Sequence, residues 1–507
     1  FGPDPGIAWD VAGVEDATRD HTLVRKASIL SGNTDWESSS GTNEDNSEWI
    51  VYPRNSWEFL GSRNGEIVGN YIHVSLEGTD DMECGAIENP CNTIQYTIDN
   101  IKGYWDTIII DNGTYNENLT YTAESGTFLP FLKLASNFYF TGDSSDIYST
   151  VIMGQDNGYI INCQNISSVS IGGITLEGGF SSYQTNDGLY IENANNITLS
   201  NTIIKNCSVY NGYGVAGRFS GSDSILISNS QFVNNIDEFN TDGVIAFGSS
   251  NYVSIKNTKF LQNSAVTGSA IRFEGLNKIE IDSCSFINNI SGQGGAIWSS
   301  SQAIVSITNS VFRSNSGLIS IMGYEDSEWS QIPYDIVIDK VSIIENLNPI
   351  SFVNYSGPPQ NNLQTPNLEI INTLFWNNQV DIVMPNNEDW SDAFIGAVNV
   401  TSCLIDTSAD WNYYNSGSNN LYLDPLFCNE EGGNFTLAEN SPLIDAGTDG
   451  GTIGYFDVGC SGIYNGPNWY VSNTGSNDNG DGSEQNPFNT IQFGLDRMSH
   501  NDTLIIH

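Results

Sequence analysis

Basic side chains are scarce in this sequence. Lysine and arginine number 16 against 60 aspartates and glutamates, a formal net charge of −44. That balance argues against nucleic acid and anionic membrane surfaces as partners, because both are held by clusters of positive charge. It fits either a solvated acidic surface with no specific partner or a chain suited to a salty, calcium-containing medium. Histidine is rarer still: His21, His73, His500 and His507 are the whole set, none paired, which argues against zinc. No apolar run approaches the roughly 20 residues that a transmembrane helix needs. Neither a G-x-S-x-G elbow nor a phosphate loop occurs. The chain opens at Phe1 with no basic-then-apolar leader, and its first residues read as the interior of a larger polypeptide.

What the sequence has instead is repetition. One twelve-residue phrase recurs nine times over residues 168–408, for example NITLSNTIIKNC (196–207), YVSIKNTKFLQN (252–263) and IVSITNSVFRSN (304–315). Successive copies start 28, 28, 28, 26, 26, 31, 32 and 30 residues apart, a period that means a solenoid. The second and fourth positions are always aliphatic, as in Ile197 and Leu199 or Val253 and Ile255, so each copy contains a strand with one buried face. The ninth position (Leu176, Ile204, Phe232, Phe260, Phe286, Phe312, Ile343, Phe375, Ile405) marks a second inward strand. A third inward column runs Cys163, Ile191, Phe219, Phe247, Phe273, Ser299. Three short strands per turn without a helix-length pattern predict an all-β fold, a parallel β-helix, right-handed by the general rule for crossovers. Like residues then stack about 4.8 Å apart.

The twelfth position is asparagine in six successive copies: Asn235, Asn263, Asn289, Asn315, Asn346 and Asn378. Such a column predicts amide hydrogen bonds passed from coil to coil, at a turn where asparagine tolerates left-handed backbone angles.

Cysteines divide by register. Cys284 and Cys403 fall in the seventh column among small and β-branched residues and read as packed free thiols; Cys163 lies in an inward column, and Cys207 takes the place of an asparagine in the ladder. Cys84 and Cys91, seven residues apart in a Gly-, Asp- and Asn-rich loop, read as a disulfide; Cys428 and Cys460 bracket the last pieces of the domain and are placed for a second. Two bridges imply an oxidising, extracytoplasmic compartment.

Outside the repeat, three stretches carry resemblances. The runs WDVAGVEDATRDHTLVRKASILSGNTDW and GTNEDNSEWIVYPRNSWEFLG, with the clustered Trp9, Trp36, Trp49 and Trp57, resemble the C-terminal half of a lamin-tail-like domain of bacterial secreted and surface proteins. The resemblance implies a partial immunoglobulin-like β-sandwich over 1–62 and an extracellular accessory role; 63–70 reads as a linker. Residues 71–115, with a helix over 92–102 placing Ile94, Ile98 and Ile101 on one face, resemble the N-terminal cap of secreted right-handed β-helix proteins, a group that includes polysaccharide lyases. The β-helix proper follows over 116–420. Residues 421–460, through Asp424-Pro425-Leu426-Phe427 and Ser441-Pro442-Leu443-Ile444-Asp445-Ala446-Gly447, resemble the segment that closes such domains in bacterial surface proteins.

After a linker at 461–468 the cap signature returns over 469–507. Asn89-Pro90-Cys91-Asn92-Thr93-Ile94-Gln95 reappears as Asn486-Pro487-Phe488-Asn489-Thr490-Ile491-Gln492, 397 positions later. The chain therefore reads as beginning inside one domain and ending inside the start of another, a window on a multi-domain or repeating polymer or a subunit with complementary ends.

Two candidate ligand sites stand out. Beside the third inward column, Tyr190, Arg218, Ala246, Arg272 and Trp298 form an outward ladder, flanked by Glu192, Ser220, Gly248, Glu274 and Ser300. Aromatic and arginine side chains on a sheet face suit an acidic glycan; the alternative is plain solvated surface. Glu192 and Glu274 are three coils apart, about 14 Å at the strand spacing, too far for a glycosidase pair. The second candidate is the loop Asn477–Glu484, where Asp478, Asp481 and Glu484 offer oxygen ligands for calcium; an unliganded polar turn is the alternative. These readings converge on a non-enzymatic extracellular or cell-surface structural or adhesive protein, assembling with copies of itself into a filament. A secreted polysaccharide-binding or lyase-type protein is the alternative.

Overall fold

A computed structural model of the chain describes all residues except 1–7, 27–28, 30–32, 44–45, 54–70, 102–105, 124–130, 156–157, 179, 182–187, 210–213, 238–242, 276–277, 294, 300–302, 324–334, 355–366, 380–381, 384–397, 407–414, 465, 478, 496 and 499–501. The expected linker at 63–70 thus lies outside the described residues, as do Trp57, His500, Ser300 and Asp478.

The repeated phrase folds into a parallel β-solenoid of about eight turns, and the chain is only 8% helical. Each coil carries three principal strands. The first two are fused in the early coils as the twelve-residue strands Ile161–Gly172 and Leu189–Ser200. They separate later, as in Gly217–Ser220 and Ser224–Ser228. The third, such as Gln231–Val233, belongs to a ten-stranded parallel sheet. A fourth, short strand in five successive coils (Ile236–Asp237 is one) was not apparent from the sequence periodicity.

The register is the predicted one. Ile197 pairs with Ile225, Ile225 with Val253 and Val253 with Ile279. Phe232, Phe260, Phe286 and Phe312 form one interior file, ring centroids 5.1, 4.6 and 4.3 Å apart and nearly parallel. Face-to-face stacking is not the arrangement free rings prefer; here the strand spacing imposes it. Each ring is at least 99% buried, which contributes about 1.5–3 kcal/mol per side chain. The third column is continuous too, from Cys163 through Ile191, Phe219, Phe247 and Phe273 to Ser299.

The asparagine column is a complete hydrogen-bond ladder. Asn263 donates its backbone N–H and its Nδ2 to Asn289 Oδ1, at 3.1 and 3.0 Å, and a second Nδ2 bond to the carbonyl of Phe232. Asn289, Asn315 and Asn346 repeat the pattern, and Asn235 and Asn378 end it. All six side chains are buried, so full satisfaction is what makes them tolerable.

The backbone reading of that column needs correction. The left-handed residues lie one position earlier, at Gly178, Asn206, Asn234, Gln262, Asn288, Ser314, Glu345 and Asn377. Two further left-handed columns mark the other corners: Gly173, Asn201, Asn229, Asn257, Ser283, Asn309, Lys340, Asn372 and Ser402, and Asn165, Asn193, Gly221, Ser249 and Gly275. Glycine, asparagine and serine dominate them because positive φ costs a bulkier residue about 1–2 kcal/mol.

The seventh column is also a ladder, of hydroxyls: Thr202 N–H donates to Ser230 Oγ and Cys284 N–H to Ser310 Oγ. Cys284 and Cys403 substitute thiols there, donating to the carbonyls of Asp282 and Thr401. All four free cysteines are buried, and burial pushes the thiols of Cys163, Cys284 and Cys403 up to about 12. The Cys84–Cys91 and Cys428–Cys460 bridges are both formed.

At the N-terminal end, Tyr71–Val74 pairs in parallel with Thr107–Ile110, which pairs with Leu132–Ser136. The capping helix is shorter than 92–102: α-helical over Ile94–Tyr96, then a wider π turn over Thr97–Ile101. Ile94 and Ile98 are buried in the cluster that also holds Ile108, Leu119 and Leu134, so the helix plugs the solenoid's mouth. Before the solenoid, His21–Arg25 pairs antiparallel with Trp49–Pro53, with a short helix at Trp36–Ser40 between them. Among the described residues the expected partial sandwich comes to this one two-stranded sheet; the lamin-tail resemblance is not confirmed.

Candidate functional site

The outward ladder sits where the register places it: Tyr190 pairs with Arg218, Arg218 with Ala246, Ala246 with Arg272 and Arg272 with Trp298. The flanking column pairs Glu192 with Ser220, Ser220 with Gly248 and Gly248 with Glu274. Alternation along each strand turns these residues outward while Ile191, Phe219 and Phe273 turn inward.

Contacts divide the ladder into two groups. In the first, the Tyr190 hydroxyl donates to Glu192 Oε2 at 2.9 Å, its ring stacks on Tyr159 at 4.9 Å, and Arg218 lies 5.9 Å above the ring. Burial pushes the Tyr190 hydroxyl up to about 12, reinforced by its bond to the Glu192 carboxylate. In the second, Arg272 lies 4.7 Å over the Trp298 ring and pairs with Glu274 at 3.1 Å. Trp298 is 7% exposed; one face meets Arg272, so it is no open stacking shelf. The two arginines are two coils apart, about 9.6 Å, with small Ala246 and Gly248 between them.

Glu192 is engaged by a tyrosine and Glu274 by an arginine. Among the described residues no three His, Cys, Asp or Glu side chains converge as metal ligands. A comparable trio on the neighbouring face, Tyr252, Lys278 and Glu280, is held by bonds of 2.6 Å from Tyr252 and Lys278 to Glu280, which keep that carboxyl below its ordinary value. It is solvent-facing, where such pairs contribute little.

In the candidate calcium loop, Asn477 and Asp481 hold the turn itself. Asn477 Oδ1 accepts the N–H groups of Asn489 and Thr490 at 2.9 and 3.1 Å, and Nδ2 donates to Thr490 Oγ1. Asp80 accepts from Asn92 N–H, Thr93 N–H and Thr93 Oγ1 in the same way. Both loops thus pin the turn before the capping helix. Asp481 accepts the Ser483 N–H, while Asp478 lies outside the described residues.

A glycine signal went unread. Gly188, Gly243, Gly268, Gly295 and Gly317 precede the ladder strands, and a Cβ on Gly295 would lie 2.7 Å from the Leu318 carbonyl carbon. The next coil leaves no room for a side chain at Gly295, although Ser269 holds the same register one coil earlier.

The Chlamydia polymorphic membrane protein repeat model matches residues 283–300, which run from a left-handed corner through Phe286 and Asn289 to Gly295, Ala296 and Ile297. No curated protein matches the chain. Similar solved structures include the pectate lyase Pel9A (12% identity, 77% of this chain and 96% of that one, TM-score 0.39). A rhamnogalacturonan lyase is also similar (11% identity, 71% and 91% coverage, TM-score 0.37), as is the alginate lyase AlyGC (14% identity, 81% and 62% coverage, TM-score 0.33). At those identities no functional residue is transferred from them.

Proposed function

We propose that the chain is a stiff spacer in an extracellular, cell-surface structural or adhesive protein, a segment or subunit of a surface filament assembled from copies of itself. One observation carries this: the phenylalanine file and the satisfied asparagine ladder run through the middle coils with no break. A solenoid in which each coil bonds the next over its whole length is stiff. Two disulfides support an oxidising location, and the repeat matched over residues 283–300 is that of the Chlamydia polymorphic membrane proteins. Electron microscopy of the native purified material is the test. Rods joined end to end are expected; dispersed globular particles overturn the filament.

A second reading rests on the ladder of Tyr190, Glu192, Arg218, Arg272, Glu274 and Trp298: a face for an acidic glycan, its two arginines spaced for alternate charges. It expects retention on a uronate-containing polymer that Arg218→Ala and Arg272→Ala each weaken at least fivefold, and that falls with salt. No retention by the unaltered protein removes it.

A further inference from the structure

Tyr159 and Tyr190 lie ring on ring at the head of the outward ladder, with centroids 4.9 Å apart and planes 16° from parallel. They belong to successive coils: Ile160 donates its N–H to the carbonyl of Gly188, and Ile161 stands opposite Leu189. Arg218, from the coil after, lies 5.9 Å over the Tyr190 ring. The Tyr190 hydroxyl donates to Glu192 Oε2 at 2.9 Å. Both tyrosines are half-buried, so a small reagent reaches them from solvent. Tyr71 and Tyr139 also meet, at 5.9 Å, but their planes are tilted by 57° and do not stack.

Two features of this pair matter to phenol chemistry. Stacked rings turn the π lobes of their carbons towards each other, the direction along which a carbon–carbon bond forms. The partners are thus oriented before any reaction begins. A phenol bonded to a carboxylate also loses an electron more readily, because its proton has a receiver at the same moment. Burial and the bond to Glu192 raise the Tyr190 hydroxyl to about 12, so it keeps its proton until an electron leaves.

We infer that Tyr159 and Tyr190 are an oxidative cross-linking pair, joined as dityrosine by hydrogen peroxide and a haem peroxidase, with Glu192 as proton acceptor. Each phenol gives up one electron and its hydroxyl proton, and the Tyr190 proton passes first to Glu192. One hydrogen peroxide takes up both electrons and both protons and leaves as two waters. The two phenoxyl radicals join through one bond between ring carbons ortho to the oxygens. The hydrogen on each joined carbon then moves to its oxygen, which restores both phenols. The bond would tie one coil to the next, in a chain whose two disulfides already suit oxidising surroundings. It requires neither a filament nor a glycan.

The test treats the dilute full chain with hydrogen peroxide and a haem peroxidase, follows dityrosine fluorescence, and maps the products by peptide mass. A monomer is expected in which the peptides holding Tyr159 and Tyr190 are joined and lighter than their sum by two hydrogens. Tyr159→Phe and Tyr190→Phe keep the rings, and each should cut the signal from monomers about tenfold. Glu192→Gln should slow the appearance of the same bridge about fivefold. Bridges that form only between chains, or that map to other tyrosines, overturn the pair. Monomer fluorescence undiminished in Tyr159→Phe does so as well, and an unchanged rate in Glu192→Gln removes Glu192 from the reaction.

Discussion

Residues 71–111 and residues 421–460 both finish the solenoid, one by pushing side chains into its mouth and the other by lying along its flank. Ile94 and Ile98 join the continuous interior that runs from Ile72 to Ile405. Phe427, Phe435, Leu437, Leu443 and Ile453 instead form a separate cluster on the outward side of the ten-stranded sheet, against Ile344, Leu374 and Leu404. The flank is fastened by groups at the surface: Lys340 to Asp449 at 2.9 Å, Asn372 to Thr448 at 3.1 Å, and Arg313 stacked on Phe435 at 4.9 Å. At that end the coils themselves are continued by Leu421, which bridges to Leu404. The difference teaches that a plug shares its stability with the interior, whereas a flank piece adds its own cluster and can open separately.

The strongest way to break that comparison is Ile94→Asp, which places a carboxylate among Ile72, Ile98 and Ile108. A loss above about 4 kcal/mol in urea unfolding is expected, with exchange protection of residues 107–136 falling and that of 427–458 kept. Next is Phe435→Ala, expected to cost about 3 kcal/mol. Limited proteolysis should then enter 428–460 while residues 224–315 resist; simultaneous loss of both would show that flank and interior are one unit. Asn289→Ala calibrates the interior between them. It strips the acceptor from Asn263 N–H and Nδ2, and about 1–3 kcal/mol should be lost, read as a lower unfolding midpoint with both ends still attached.

The smallest effect concerns pH. Glu117 accepts the N–H groups of Ile94 and Gln95 at 3.0 and 2.9 Å, tying the plug to the first coil. Burial raises its pKa above 4.5 in spite of those bonds. A carboxyl whose folded value is raised favours the folded state most below its unfolded value, and that contribution is lost as pH rises through the folded one. Protection of Ile108–Ile110 should therefore fall modestly as pH climbs from 4.5 through the raised value, and Glu117→Gln should flatten the slope. A slope unchanged by that substitution would assign the pH dependence elsewhere. The flank's Asp449, whose pKa Lys340 lowers, has the opposite sign: its clamp is lost as pH falls through the folded value.

The coiling, the interior columns and the thiol positions were legible because one physical quantity, burial at a fixed period, wrote itself into every copy. Corners were harder. Their signal is conformational, and Gln262, Lys340 and Glu345 occupy left-handed positions beside asparagines, so the residue type alone blurs the column. The fourth short strand leaves little trace because Ile236, Ser264 and Ile290 share its register without sharing polarity. Ligand sites were legible only as candidates. Outward residues have no required neighbour, and nothing in the alternation of a strand told that Arg272 would be spent on Glu274 and Trp298.

Each rung of the asparagine ladder presents to the preceding coil the same acceptor that its successor presents to it. Coils on either side of any rung are therefore interchangeable parts: excising residues 264–289 would bring Asn263 against Asn315 Oδ1, the partner that Asn289 has now. A whole coil can thus be added or taken away without altering the joints, so length is the dimension this ladder leaves free.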